Sequence, residues 1–174
     1  MDNISVILSN IMGGVAIILG FVSFQMHKRK SLLIVQIATT LAFCAHYGFM
    51  GAWAGFSLNT IGAVRNLAYY HKDKKWLSTW VTPVVFAAAM LTVGIITWQG
   101  YQDLFYISSM AISSFAMYYF GAQDIRKSIL LTSTLVLIYD IMVGSVWGTV
   151  YESVAIISAV IGIIVYIKKG LENK

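Results

Sequence analysis

Residues 29–55 read RKSLLIVQIATTLAFCAHYGFMGAWAG: a basic pair and a serine, Arg29-Lys30-Ser31, an apolar run from Leu32 to Met50, and a small-aromatic connection, Gly51-Ala52-Trp53-Ala54-Gly55. A run of 19 residues at about 1.5 Å per residue crosses close to 30 Å of hydrocarbon as a helix. One end carries positive charge and the other carries none, which is the signature of a membrane span with its basic end in the cytoplasm. The rest of the chain repeats this grammar. Of 174 residues, 59% are apolar and 11% charged, with a mean hydropathy of +0.77. Soluble domains average about 45–50% and about 25%, so an ordinary soluble enzyme is excluded. The single cysteine, Cys44, allows no internal disulfide.

Apolar stretches fall at about 4–26, 32–50, 55–71, 77–98, 104–121, 129–147 and 148–167. They predict an all-α membrane protein of seven transmembrane helices forming one transmembrane domain over 1–174. The alternating runs of about ten residues that barrel strands need are absent. Eleven of the twelve Lys and Arg lie in connections that seven spans place on one side: Lys28-Arg29-Lys30, Lys72, Lys74, Lys75, Arg126-Lys127, Lys168, Lys169 and Lys174. The opposite connections, 51–55, 99–103 and 144–148, hold none. This bias predicts an N-terminus outside and a short cytoplasmic tail, 168–174. It also accounts for the net charge of +5, so no nucleic-acid partner is expected. Trp53, Trp98, Tyr101 and Trp147 fall at outer span ends; Tyr69, Tyr70, Trp76, Trp80, Tyr118, Tyr119 and Tyr166 fall at inner ends, as interfacial anchors do. The start Met1-Asp2-Asn3 is acidic, so the first span reads as an N-out helix rather than a cleaved signal peptide.

Two segments look like copies. Arg29-Lys30-Ser31-Leu32-Leu33 matches Arg126-Lys127-Ser128-Ile129-Leu130 at an offset of 97, and Gly51-Ala52-Trp53-Ala54-Gly55 resembles Gly144-Ser145-Val146-Trp147-Gly148 at 93. The difference of four is about one helical turn, so the second middle helix is expected to be a turn shorter. The plan is two parallel three-helix repeats, about 4–71 and 104–167, joined by a linker helix at about 77–98, as in some small transporters.

The motifs Gly51-x-x-Ala54-Gly55-x-Ser57-x-Asn59 with Arg65, Gly144-x-x-x-Gly148-Thr149-x-x-Glu152, and His46-Tyr47 make the whole chain resemble the YgjV family of bacterial inner-membrane proteins, with a SWEET- and PnuC-like architecture. That resemblance implies the fold and an inner-membrane location, and little about function. The chain departs from the SWEET pattern: the expected Pro-Gln pair is missing, Gln25 stands without a proline, and the only proline, Pro83, lies on the linker. A proline-hinged rocking motion is therefore not implied.

Ionisable groups inside spans cost about 2.5–3.5 kcal/mol on insertion scales and usually face a cavity or a partner. His46, Arg65, Asp140 and Glu152 qualify, with Asn59 and Asn66 as buried amides. The 93 offset pairs Asn59 with Glu152, Tyr47 with Asp140 and His46 with Tyr139, which puts His46, Asn59, Asp140 and Glu152 at similar depth. Arg65, about 13.5 Å from the outer end, calls for an Asp140 or Glu152 partner. These six residues are the candidate substrate-binding set for a small polar solute (sugar-, nucleoside- or vitamin-like) moved by alternating access. The other reading is a non-transporting assembly or sensor protein whose buried charges are structural glue. HExxH, CxxC and P-loop patterns are absent, so no metal, no cofactor and no ATP-driven pumping are expected. An intramembrane hydrolase would need a serine paired with His46, and no GxSxG motif supports one. The partners expected are the lipid bilayer and the solute, and a homo-oligomer stays open.

Overall fold

The computed structural model describes residues 3–24, 29–120 and 122–172. Gln25, Lys28 and Lys174, which carried weight in the sequence reading, lie outside the described residues. Seven helices follow one another: α1 Asn3–Phe24, α2 Arg29–Met50, α3 Trp53–Tyr70, α4 Val81–Ile96, α5 Gln102–Tyr119, α6 Ala122–Val143 and α7 Val146–Glu172. No strand occurs among the described residues.

Two tight turns set the register. α2 is followed by Gly51 and α6 by Gly144, each with φ +73°. In the first turn the Ala52 N–H donates to the Tyr47 carbonyl at 3.0 Å and the Gly51 N–H to Gly48 at 3.2 Å. In the second, Ser145 donates to Asp140 at 2.8 Å and Gly144 to Ile141 at 3.3 Å. These are the paired bonds of a left-handed glycine cap, which satisfy carbonyls that the helix end would leave bare. Helices α2 and α6 are both 22 residues long, and α3 and α7 start two residues after each glycine. The expected one-turn shortening of the second middle helix is therefore absent. The α6–α7 boundary also lies at Gly144-Ser145, not at 147/148. The turn is uncharged and flanked by apolar residues, so hydropathy alone ran the two helices together.

The linker helix is shorter than expected. Residues 71–80 form turns and bends with Trp76 and Trp80 exposed, and α4 begins at Val81. Pro83 sits in its first turn, where the missing N–H would have had no intrahelical partner. An exposed Lys30–Asp73 pair at 2.8 Å ties the start of α2 to this loop. Asp73 holds the Lys30 ammonium above its ordinary pKa, but a pair this wet contributes little to stability.

Helix α2 packs against both α1 and α3, and α6 against both α5 and α7. Contacts α1–α7 and α3–α5 join these groups, and α4 lies on α3 and α5. The core at the turn end centres on Phe43, Tyr47, Leu58, Met90, Tyr106 and Tyr139. A second cluster, Leu33, Tyr69 and Tyr118, sits toward the basic end. The outside of the bundle is itself apolar: Ile4, Ile7, Ile11 and Ile18 on α1, Ile95 and Ile96 on α4, and Ile157, Ile161 and Ile164 on α7 are exposed. An apolar face this continuous needs lipid rather than water against it. Segments Asn3–Ser23, Leu33–Met50 and Val146–Ile164 are long and apolar enough to cross a bilayer; the apolar α4 has 16 residues.

Gly144→Ala tests the turn. A Cβ there meets nothing within 4 Å, so the penalty is conformational. We expect a loss of about 1–2 kcal/mol, the cost of the left-handed region for an L-residue, read as a lower melting temperature in detergent. Gly14→Ala, whose Cβ would stand 3.9 Å from Trp147 on a helix interior, should melt at or above wild type. A Gly144→Ala variant that melts with wild type refutes the left-handed cap.

Candidate functional site

The turn end is a closed polar lattice. Tyr47 Oη donates to Asp140 Oδ1 at 2.5 Å, and both residues are buried. These are the same two residues whose carbonyls cap the turns. His46 Nδ1 lies 2.9 Å from the Ser9 carbonyl, which can only accept, so Nδ1 carries the proton and Nε2 accepts from Ser145 Oγ at 2.9 Å. Ser145 Oγ in turn accepts the Gly148 N–H at 3.1 Å, an N-cap bond at the start of α7. At the start of α3 the cap residue is Ala52, which has no hydroxyl. Tyr139 reaches across instead, its Oη accepting the Gly55 N–H at 3.1 Å. Asp140 Oδ2 is buried with no hydrogen-bond partner, and the carboxylate lies against Gly148, where a Cβ would come within 2.5 Å of it.

Deeper between the helices is a cavity of about 160 Å³ whose walls include Asn59, Arg65, Asn66 and Glu152. Asn59 Nδ2 donates to the Gly55 carbonyl at 2.8 Å and to Tyr106 Oη at 2.6 Å, which aims its amide inward. Arg65 is 4% exposed. Its Nε and Nη2 donate to Asn66 Oδ1, each at 3.2 Å, and Nη1 donates to Ser113 Oγ at 2.8 Å and to Ser114 Oγ at 3.4 Å. Nη2 also lies 3.3 Å from Met117 Sδ. All of these partners are neutral. Glu152, on α7, is hydrogen-bonded by Ser133 of α6.

The expected Arg65–Asp140 ion pair does not form. Arg65 stands twelve residues into α3 and Asp140 three from the end of α6, so their depths from the turn end are about 18 Å and about 5 Å. The gap exceeds the reach of the side chains, and Tyr47 occupies Asp140. Among the described residues no ion pair joins Arg65 to Glu152 either; the two face the same space unpaired.

Four of the six candidate residues, Asn59, Arg65, Asn66 and Glu152, thus meet at one cavity. Asp140 and His46 belong to the lattice above it, linked to the cavity through Tyr47, whose ring is part of the wall. Sequence reading missed Gln36, Thr39 and Thr40, which line the cavity from α2, and Tyr106 and Tyr151. The spacing of Gln36, Thr39 and Thr40 puts a polar stripe on one face of an otherwise apolar helix, a signal that was there to find.

The sequence profile of the Imp-YgjV family, described as bacterial inner membrane protein, matches residues 7–169, and the chain belongs to that family. No curated protein and no solved structure is detectably similar to it.

Tyr47→Phe removes the tyrosine donor to Asp140 Oδ1, and Tyr139→Phe strips the acceptor from the Gly55 N–H. Leaving a buried polar group unpaired costs about 1–3 kcal/mol, so each variant should melt several degrees below wild type. Tyr101→Phe, at a residue 84% exposed, should not change the melting temperature. Identical melting of Tyr47→Phe and Tyr101→Phe excludes the buried bond.

Proposed function

We propose that this bacterial inner membrane protein moves a small polar solute across the bilayer by alternating access, with the solute held between α1–α3 and α5–α7. In this reading all seven helices cross the membrane, α4 is the linker, the N-terminus lies outside and the C-terminus is cytoplasmic. The two groups are then parallel repeats. The shared turn geometry at Gly51 and Gly144 supports that reading, as does the eleven-to-zero distribution of basic residues.

The observation that carries the proposal is the unpaired Arg65 and Glu152 on the wall of one cavity. Charges kept only as glue gain by closing on each other, because a separated buried pair bears both desolvation costs. Here the gluing is done by the hydrogen-bonded lattice at the turn end, and Arg65 and Glu152 are left to face the cavity. Size narrows the solute. A cavity of about 160 Å³ is close to the roughly 150 Å³ apolar cavity that accommodates benzene, so it suits a compact solute of about one ring. A hydrolase reading gains no support from the His46–Ser145 pair. Both residues are 1% exposed, Ser145 Oγ is held by the Gly148 N–H, and neither lines the cavity.

The groups meet where rings seat on glycines: a Cβ at Gly13 would lie 2.5 Å from the Trp147 ring and one at Gly20 would overlap the Tyr151 ring. Trp147 Nε1 also donates to Asn10 Oδ1 at 3.0 Å. Flat rings on bare backbone make a contact that can part and re-form without unthreading side chains.

Two measurements test the reading. A reporter fused after Lys174 should be active as a cytoplasmic fusion, and a cysteine at Asp2 should be labelled from outside; the reverse result overturns the topology. With Cys44 replaced by serine, Thr39→Cys should react with a small membrane-impermeant thiol reagent added to either face. A cysteine there that is inert from both faces favours structural glue.

A further inference from the structure

Resting on the transport reading, we propose that the solute is a small zwitterion, an α-amino acid of modest side-chain size, bound with its carboxylate on Arg65 and its protonated amine toward Glu152.

The cavity offers opposite charges at two levels. Arg65 is twelve residues and Glu152 six residues from the starts of α3 and α7, so their backbones differ in depth by about 9 Å, and the Glu152 carboxyl leans deeper toward Ser133, which lies ten residues from the end of α6. The guanidinium stays at the level of its Cα, because Ser113, which it bonds, lies at a similar depth on α5, eleven residues from that helix's start. The amine and carboxylate of an α-amino acid are about 3 Å apart on standard bond lengths. Two charge-assisted contacts of about 2.8 Å let one such molecule touch both groups within the cavity. A lone anion leaves Glu152 facing it across the cavity, and a lone cation leaves Arg65. A neutral sugar leaves both charges unanswered.

A second observation points the same way. Gln36 Oε1, on the cavity wall, is buried with no hydrogen-bond partner. It can only accept, so the molecule that completes the site must bring an N–H or O–H, and an ammonium brings three. The rings of Tyr47, Tyr106 and Tyr151 complete the walls, and aromatic faces attract an ammonium. At about 160 Å³ the cavity takes alanine, serine or proline and is too small for tryptophan.

The test uses the purified full-length protein in nanodiscs, with melting temperature and equilibrium binding as readouts. L-alanine and L-proline are compared with propanoate, propylamine, glucose and L-tryptophan at equal concentration and ionic strength. L-alanine and L-proline should raise the melting temperature, and the other four compounds should not. Glu152→Gln should melt near wild type without ligand, bind L-alanine at least tenfold more weakly, and gain a response to propanoate. Propanoate stabilising wild type as well as L-alanine does would overturn the zwitterion assignment in favour of a simple anion site. Glucose alone stabilising the protein would also overturn it. If no amino acid binds while Thr39→Cys is reactive from both faces, the solute class falls and the transport reading stands. If that cysteine is also inert from both faces, both fall.

Discussion

The hydrogen bond from Tyr47 to Asp140 joins two turns that would otherwise be separate objects. Each partner sits in the last turn of a helix, offers its carbonyl to the turn that follows, and lends its side chain to the other. In an apolar interior there is no water to take up a spare donor or acceptor. Once these side chains are buried, the turns must therefore hold a fixed register. The start of α3 is completed by Tyr139 from the second turn unit. The start of α7 is completed by Ser145, which is held by His46 from the first. A tyrosine at one position and a histidine–serine relay at the related one deliver an oxygen to equivalent N–H groups. The longer side chain makes up for the hydroxyl that Ala52 lacks.

This lattice explains which parts of the molecule could be read from the sequence. Helix number and type follow from the length of the apolar runs, since in lipid the backbone must satisfy itself. Arg65, Asn59, Asn66 and Glu152 stood out because polar side chains in such runs are costly, and they do share a cavity. The turn at Gly144-Ser145 was harder. Its marks are a glycine and a serine in an apolar context, and both also occur inside membrane helices. The partner of Arg65 was misjudged for a different reason. The repeat placed Asp140 by alignment with Tyr47, but it did not say that the two would bond each other, nor that α3 carries Arg65 two turns or more below them. Serines supplied the answer. Ser113 and Ser114 are unremarkable in a membrane helix until a guanidinium is found against them.

Using neutral partners for Arg65 has an energetic consequence. A guanidinium bonded to serines and an asparagine is held in position, and its charge is left uncompensated. A carboxylate from Asp140 in the same place would have neutralised it and filled the space. The separation of roles follows from depth: the carboxylate near the turns is engaged by a tyrosine, and the one on the cavity wall is not. Asp140 is thereby tied to the turns, while Glu152 is bonded by Ser133 and lines the cavity, although the two are chemically alike and only twelve residues apart.

In the proposed transport reading, the same division constrains how a solute would enter. Above the cavity, Tyr47 both lines the space and holds Asp140, and Tyr106 stacks on Tyr139 at a centroid distance of 4.6 Å. A path through the turn end requires these rings to part. That in turn breaks the Tyr47–Asp140 bond and leaves Asp140 to find another donor. Water admitted with the solute is one such donor, so the cost of opening falls as the path becomes wet. Opening at the turn end and hydration of Asp140 are then one event. A molecule that enters and lets the rings close again restores the bond and the register of both turns. The lattice thus resists partial opening: with Asp140 dry and undocked from Tyr47, the structure would carry a buried carboxylate that has lost its tyrosine donor with no water to replace it, which is more costly than the closed or the fully wetted arrangement.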